Sequence, residues 1–190
     1  MSLSLTSSLL CLVASIGGLT LVTVTGTNFV ASLNTYCRFD VTVVQSTVTS
    51  VSLMHCYSPA HASASVSLEV TNNNKDFTSN NVQFLYQDTE SVISIFPTLG
   101  PTTGATVVTV TGSAFVSDAL CRFGTIMSAN TVASSSLMRC AAPSTMESTV
   151  YVEVSNNGQQ WTTDSVEYRY HCTSCVVAVK YLYAHVLGVC

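Results

Sequence analysis

Hydrophobic and polar residues alternate along several short segments of this chain, with a period of two. Valines alternate with threonines in 22–25 and again in 108–111, so that one side of each segment is apolar and the other carries hydroxyl groups. A period of two is typical of a β-strand with one buried and one solvent-facing side. The same alternation occurs in four further segments: 66–70, 82–86, 150–154 and 166–170.

These segments belong to an internal repeat. A shift of 84 residues places Cys37 on Cys121, and a shift of 86 residues places 21–26 on 107–112. The repeat predicts two structural copies of about 80 residues each, because a fixed period is the signature of repeated modules. The boundary between them is predicted within the polar residues 87–90. Further matched pairs are Arg38 with Arg122, Cys56 with Cys140, Pro59 with Pro143, Asn72 with Asn156, Phe77 with Trp161 and Tyr86 with Tyr170.

Turn-forming residues separate the last two strands of each copy. The second copy has Asn157-Gly158, and the first has the polar residues 72–75. Such residues tolerate the positive φ of a tight hairpin, so we expect the flanking strands to be adjacent and antiparallel. With the weaker apolar runs included, each copy provides about seven short strands, which predicts a β-sandwich.

The composition favours the same fold and excludes one class of partner. Charged residues make up 8% of the chain, against about a quarter in average soluble domains. Serine and threonine replace them, which suits the solvent-facing sides of strands. With six Lys and Arg and a net charge of −4, the chain lacks the basic surface that nucleic acids require. Eight cysteines favour a secretory route.

Two apolar segments near the termini could carry targeting information. Residues 9–16 are apolar but no Lys or Arg precedes them, so they fit either a signal peptide or the first strand of a domain. The tail 176–190 is shorter than the roughly 20 residues of a membrane-spanning helix and contains Lys180 and His185. We therefore expect no membrane span. No Asn-x-Ser/Thr acceptor for N-glycosylation is present.

The second copy resembles an IPT/TIG domain from residue 91 to 170. The resemblance rests on Ile93-Ser94-Ile95-Phe96-Pro97, Gly100-Pro101, Gly104, the 107–112 strand with Phe115, Cys121-Arg122-Phe123-Gly124, Cys140-Ala141-Ala142-Pro143 and Tyr168-Arg169-Tyr170. The first copy is similar from Gly18 to Tyr86, although Cys11 stands where the second copy has Pro97.

The resemblance implies two tandem immunoglobulin-like (E-set) sandwiches. We predict a first domain at 1–87, a second at 91–170, and a cysteine-containing tail or the start of a further module at 171–190. IPT/TIG domains occur in plexins, other cell-surface proteins and Rel-type transcription factors. The paired cysteines resemble the extracellular branch, and the few basic residues argue against DNA binding in the manner of the Rel branch.

Four cysteines recur at matching places in the two copies. Cys37 and Cys56 are 19 residues apart, as are Cys121 and Cys140, so we expect one disulfide within each domain. Closing a loop of this size can contribute about 3 kcal/mol by restricting the unfolded chain. Two buried free thiols per domain are the alternative, because cysteine packs as a small hydrophobe.

The remaining cysteines have no assigned partners. Cys172 and Cys175 have the spacing of zinc and redox sites, but one such pair lacks the four ligands of zinc and the helical setting of redox motifs. His171 and His185 do not complete a known zinc pattern. Cys11 and Cys190 complete the set of eight.

Catalytic and cofactor-binding motifs are absent from the sequence. Asp88 and Glu90 could hold calcium, but two acids alone favour solvated linker charges. Phe77 and Trp161 occupy matching positions, which favours core or capping residues over binding hot spots. His55 is expected on the outward side of a strand, since it aligns with Arg139.

These observations predict a non-catalytic segment of an extracellular or cell-surface protein without cofactor or metal. Its partners would be a protein or glycan at the cell surface and neighbouring repeats of the same chain, or it would act as a spacer. An alternative is that both domains are accessory modules of a larger secreted carbohydrate-active enzyme.

Overall fold

The fold consists of strands and turns. A computed structural model describes residues 4–5 and 13–172, and this part of the chain contains no helix. The prediction of an all-β fold is therefore confirmed. The described residues also provide no helix of the length and apolarity needed to cross a membrane. The chain divides into a first unit ending at Thr89 and a second unit starting at Glu90.

The first unit contains eight described strands in two layers. Strand β5 pairs with β4 through its first half and with β6 through its second half, so it passes from one layer to the other. The hydrogen-bonded order is β1-β3-β6-β5-β4-β7-β8-β2. The strands are β1 (Ser4–Leu5), β2 (Val13–Ser15), β3 (Leu21–Thr27), β4 (Tyr36–Phe39), β5 (Thr42–Ser50), β6 (Leu53–Tyr57), β7 (Ala64–Thr71) and β8 (Val82–Gln87).

The second unit has the same arrangement, with one interruption. Two separate strands, β13 and β14, replace the single crossing strand, so its two sheets are distinct: β10-β17-β16-β12-β13 and β14-β15-β11-β9. The strands are β9 (Ser91–Phe96), β10 (Leu99–Pro101), β11 (Val107–Ser113), β12 (Leu120–Phe123), β13 (Ile126–Ser128), β14 (Asn130–Ser134), β15 (Leu137–Ala141), β16 (Ser148–Ser155) and β17 (Glu167–His171).

The apolar positions of the alternating segments form one core in each unit. In the second unit Phe123 packs edge-to-face on Tyr168, with 5.0 Å between ring centroids. Phe39 and Phe84 repeat this contact in the first unit, also at 5.0 Å. The period-two pattern points these rings into the space between the two layers. Burial of each such ring contributes about 1.5–3 kcal/mol, which favours packing of the layers against each other.

The connection between β16 and β17 differs from the predicted tight hairpin. The two strands are adjacent and antiparallel, but they pair only from Ser148↔Tyr170 to Tyr151↔Glu167. Past these pairs, the edge of β16 opposite β12 is bound by Thr162: Val154 N donates to Thr162 Oγ1 at 3.0 Å, and Thr162 N donates to the carbonyl of Val154 at 2.9 Å. The chain therefore turns at Asn157-Gly158 and returns through a loop before β17 begins at Glu167. This loop replaces the predicted two-residue hairpin.

A glycine is required at one matching position in each unit. Gly104 has φ of +77°, and a Cβ atom there would lie 2.6 Å from the backbone nitrogen of Ser144. Gly18 has φ of +74°, and its Cβ would lie 2.6 Å from the nitrogen of Ala60. A side chain is excluded both by the left-handed conformation and by the close backbone.

Candidate binding surface

The four matched cysteines lie inside the two cores. Cys37 on β4 is joined to Cys56 on β6, with 6.4 Å between their Cα atoms. Cys121 on β12 is joined to Cys140 on β15, with a Cα separation of 6.3 Å. Each pair connects strands of opposite layers, and all four residues are buried. Of the other cysteines, Cys172 is the last described residue, and Cys11, Cys175 and Cys190 lie outside the described residues.

A cluster of a cation, a carboxylate and an aromatic ring lies on the outer side of β12 and β16. Arg122 and Glu153 are cross-strand neighbours, and the arginine Nε donates to the carboxylate Oε2 at 2.8 Å. The guanidinium carbon lies 4.2 Å from the ring centroid of Trp161, a cation–π contact. The pairing of β12 with β16 brings Arg122 next to a glutamate and a tryptophan that come much later in the sequence.

The first unit also has an arginine beneath an aromatic ring, but its carboxylate, that of Glu69, binds uncharged groups. Arg38 lies 4.2 Å from the ring centroid of Phe77. Glu69 is buried and accepts hydrogen bonds from Thr78 Oγ1 at 2.6 Å and from Asn81 N at 3.3 Å. Phe77 and Trp161 are half-buried and do not belong to the cores. Each ring covers the guanidinium group of an arginine: Arg38 in the first unit and Arg122 in the second.

Asn156, which repeats Asn72, has a structural function. Its Nδ2 donates to the carbonyl of Ala114 at 2.8 Å, and its Oδ1 accepts from Val116 N at 3.3 Å. Asn72 makes the equivalent contacts with Asn28 O and Val30 N. The matched asparagines therefore hold a loop in each unit.

Glu90 is not a solvated linker charge, and that prediction was wrong. It is only 7% exposed and its Oε1 accepts a hydrogen bond from Asn156 N at 3.0 Å. Glu90 therefore belongs to the fold of the second unit, whereas Asp88 is exposed. In the described ranges, no three His, Cys, Asp or Glu side chains come close enough to hold a metal ion.

Two histidines, His55 and His61, contact neighbouring side chains of the first unit. His55 lies on β6 opposite Thr23, with 3.2 Å between its Nδ1 and the threonine Oγ1. His61 stacks on Tyr86 with ring centroids 4.9 Å apart.

The outer side of β10, β17 and β16 carries a surface with a different composition. Arg169 lies level with Leu99 on one neighbouring strand and with Thr149 on the other. Glu167 lies level with Tyr151, which is 47% exposed. We call these five residues the Tyr151 surface.

A shallow depression is part of the Tyr151 surface. It has a volume of about 420 Å³. Within the described residues the one ion pair is that of Arg122 with Glu153, so the charges of Glu167 and Arg169 are not paired with each other. The depression is lined by Thr98, Leu99, Thr149, Glu167 and Arg169.

The corresponding side of the first unit lacks these groups. Leu85 stands in place of Arg169 and Gln83 in place of Glu167, while Ser65 and Ser67 replace Thr149 and Tyr151. Ser65 Oγ donates to Gln83 Oε1 at 2.9 Å, so these two polar side chains bind each other. The shared fold therefore does not require the chemistry of the Tyr151 surface.

Sequence reasoning missed this surface, although a signal was present. In 167–170 the polar residues Glu167 and Arg169 alternate with the buried Tyr168 and Tyr170, which places both charges on one side. Leu99 could not be added from the sequence because it lies on another strand, and Tyr151 could not be placed because the predicted adjacency of β16 and β17 did not fix their register.

Burial also changes the acidity of the tyrosines on the inner side. Removal from water raises the pKa of Tyr170 to about 12, and the neighbouring Tyr168 adds to the shift. Burial likewise raises the pKa of Tyr86 above that of an ordinary phenol. Both side chains are neutral at physiological pH.

Two disulfide-crosslinked sandwiches with unlike outer surfaces define the chain as a tandem immunoglobulin-like protein. The family model of the IPT/TIG domain matches residues 5–86 and 91–170. The chain belongs to the IPT/TIG domain family.

Solved structures show the same fold at low sequence identity. The extracellular region of plexin A4 in one crystal form is 18% identical with a TM-score of 0.62, over 91% of this chain and 16% of that chain. A second plexin A4 structure gives 18% identity and a TM-score of 0.56, over 90% of this chain and 18% of that chain. The present chain thus spans less than a fifth of the plexin chains. No curated protein sequence matches it.

Proposed function

We propose that this chain is a non-catalytic segment of an extracellular or cell-surface protein and that its second unit binds a protein or glycan partner through the Tyr151 surface. The observation that carries the proposal is the difference between the units. Both have the same fold, but only the second exposes an unpaired arginine, a glutamate and a tyrosine at this place. Tyr and Arg are the residues that most often dominate binding energy at interfaces.

The cysteines support the extracellular location. A disulfide at the same place in each unit is the pattern of proteins that fold in an oxidising compartment. The similar plexin A4 structures come from an extracellular region. We therefore propose that both bonds form in the secreted protein.

The first experiment uses the first unit as a template for the control. The chain is produced by secretion, displayed as a multimer and screened against cell-surface proteins and glycans. The control variant combines Thr149→Ser, Tyr151→Ser, Glu167→Gln and Arg169→Leu, which copies the side chains of the first unit onto the second. Because the first unit folds with these residues, the variant should remain folded.

We expect wild-type protein to bind a partner and the four-residue variant to lose at least about tenfold in affinity, as removal of hot-spot residues does. Equal binding by both proteins would exclude the Tyr151 surface. Absence of any partner would leave the spacer function.

A further inference from the structure

We propose that the partner of the Tyr151 surface is a second copy of this chain, so that two second units associate face to face. This inference rests on the proposed function, because it names the partner of the same surface. A contact between identical surfaces must be self-complementary about a two-fold axis. The Tyr151 surface meets this condition in its charges and in its shape.

The charges are complementary in one orientation only. Glu167 and Arg169 lie two residues apart on β17, about 7 Å along the strand. If the two-fold axis crosses the strands midway between them, Glu167 of one copy faces Arg169 of the other, and the reverse pair forms as well. An axis parallel to the strands and running along β17 would instead place Arg169 against Arg169. Like charges opposite each other repel, so the antiparallel orientation is selected.

The same two-fold axis also brings the protruding Tyr151 ring of each copy opposite the depression on the other copy. Thr149 and Tyr151 lie on β16 at the levels of Arg169 and Glu167. The axis that pairs the charges therefore places Tyr151 of one copy over Thr149 of the other. Thr149 lines the depression of about 420 Å³, so the exposed ring would enter it and its counterpart would do the same in return.

The first unit cannot make this contact, because Gln83 and Leu85 carry no charge and Ser67 offers no ring. Two sheets that pack face to face with aligned strands lie about 10 Å apart, a distance that long side chains from both sides can fill. The association is thus specific to the second unit.

The size of the surface limits its strength. The sheet has five strands, and the strands are three to eight residues long. At about 4.8 Å between strands and about 3.4 Å per residue, the flat area is about 20 Å by 17 Å. This is less than the roughly 800 Å² per partner of a standard interface. We expect a weak dimer, with a dissociation constant between about 10 µM and 1 mM.

The test is a charge exchange followed by sedimentation equilibrium of the full chain from about 1 µM to 1 mM, a range that reaches the upper end of the expected constant. Glu167→Arg and Arg169→Glu alone each place like charges together at both ends of the contact. Each should weaken dimerisation by at least about tenfold. The double variant regenerates both pairs and should return to within about threefold of wild type.

Two controls separate folding from association. Gln83→Arg and Leu85→Glu introduce charges at the matching positions of the first unit and should leave the dissociation constant unchanged. Circular dichroism and Trp161 fluorescence verify that every variant is folded. For wild-type protein, raising the salt from about 0.05 M to 1 M should weaken the dimer, because salt screens exposed charges.

Wild-type protein that stays monomeric at the highest concentration overturns the inference. A dimer that is insensitive to the single reversals, that is not rescued by the double variant, or that does not respond to salt also overturns it. The proposed function fails separately. A monomeric chain that binds a different partner through the Tyr151 surface would retain that function, whereas a chain that binds neither itself nor another molecule would lose it.

Discussion

Arg122 and Glu153 face each other across β12 and β16, with 2.8 Å between Nε and Oε2. The same arginine contacts the face of Trp161. The matching carboxylate in the first unit, Glu69, is instead bound by Thr78 and Asn81. The two units therefore both place an aromatic ring over the arginine, but they differ in which groups bind the carboxylate: an arginine in the second unit and uncharged donors in the first.

Replacement of Arg122 by alanine should destabilise the second unit by about 1–2 kcal/mol, because it removes a partly buried ion pair and the cation–π contact. Trp161 is the one tryptophan of the chain, so its fluorescence in urea reports on the second unit. Arg139→Ala, which removes an exposed arginine on the other sheet, is the control and should change stability by less than about 0.5 kcal/mol. Equal effects of both variants would contradict the structural importance of the cluster.

Replacement of both Cys121 and Cys140 by alanine should lower the stability of the second unit by about 3 kcal/mol, because the unfolded chain regains the freedom of the closed loop. Unfolding in urea is again followed by Trp161 fluorescence. The double replacement of Cys37 and Cys56 is a matched control, since it should leave the Trp161 transition unchanged. Mass spectrometry of the secreted protein without reductant should find all four thiols protected from alkylation, and alkylation of all four would exclude the disulfides.

Tyr170 should make the second unit sensitive to alkaline pH. Its pKa is about 12 in the folded unit and 10.0 for an ordinary tyrosine. Between these values the unfolded chain has released the proton and the folded unit still holds it. Stability is therefore fully present below pH 10 and falls as pH rises to 12, by up to about 1.4 kcal/mol per pH unit.

The variant Tyr170→Phe tests this dependence. The Tyr170 hydroxyl is buried without a hydrogen-bond partner in the described part of the chain, so its removal should cost little at neutral pH. Urea unfolding at several pH values should show a smaller alkaline loss than in wild type. Tyr151→Phe removes an exposed hydroxyl and should keep the wild-type slope. A slope unchanged by Tyr170→Phe would assign the alkaline loss to another group.

Glu90→Ala should destabilise the second unit by about 1–3 kcal/mol, because Asn156 N would lose its buried acceptor. Asp88→Ala, two residues away and exposed, should have an effect below about 0.5 kcal/mol. Thermal unfolding with and without calcium completes the measurement. A transition raised by calcium in wild type and not in Glu90→Ala would instead support a calcium site.

The sequence was sufficient to predict the fold because the alternation of apolar and polar residues and the internal repeat specify the strands and the number of units. Alternation in 107–111 and 150–154 indicates which sides of the strands are buried, and the structure has this alternation. The repeat indicates the number of units. The long loop after β16 was not predictable, because Val154 on the edge opposite β12 is bound by Thr162, a loop residue with no local strand signal, through Val154 N to Thr162 Oγ1 at 3.0 Å and Thr162 N to Val154 O at 2.9 Å.

The sequence by itself determined the class of fold, the twofold repeat and the matched cysteines, since these depend on the periodicity and spacing of residues along one segment. Only the tertiary structure decided that Glu90 is buried and that Tyr151, Glu167 and Leu99 share one surface. Those relationships join strands from separate parts of the chain, and the order of strands in a sheet follows from packing of the complete core rather than from local sequence.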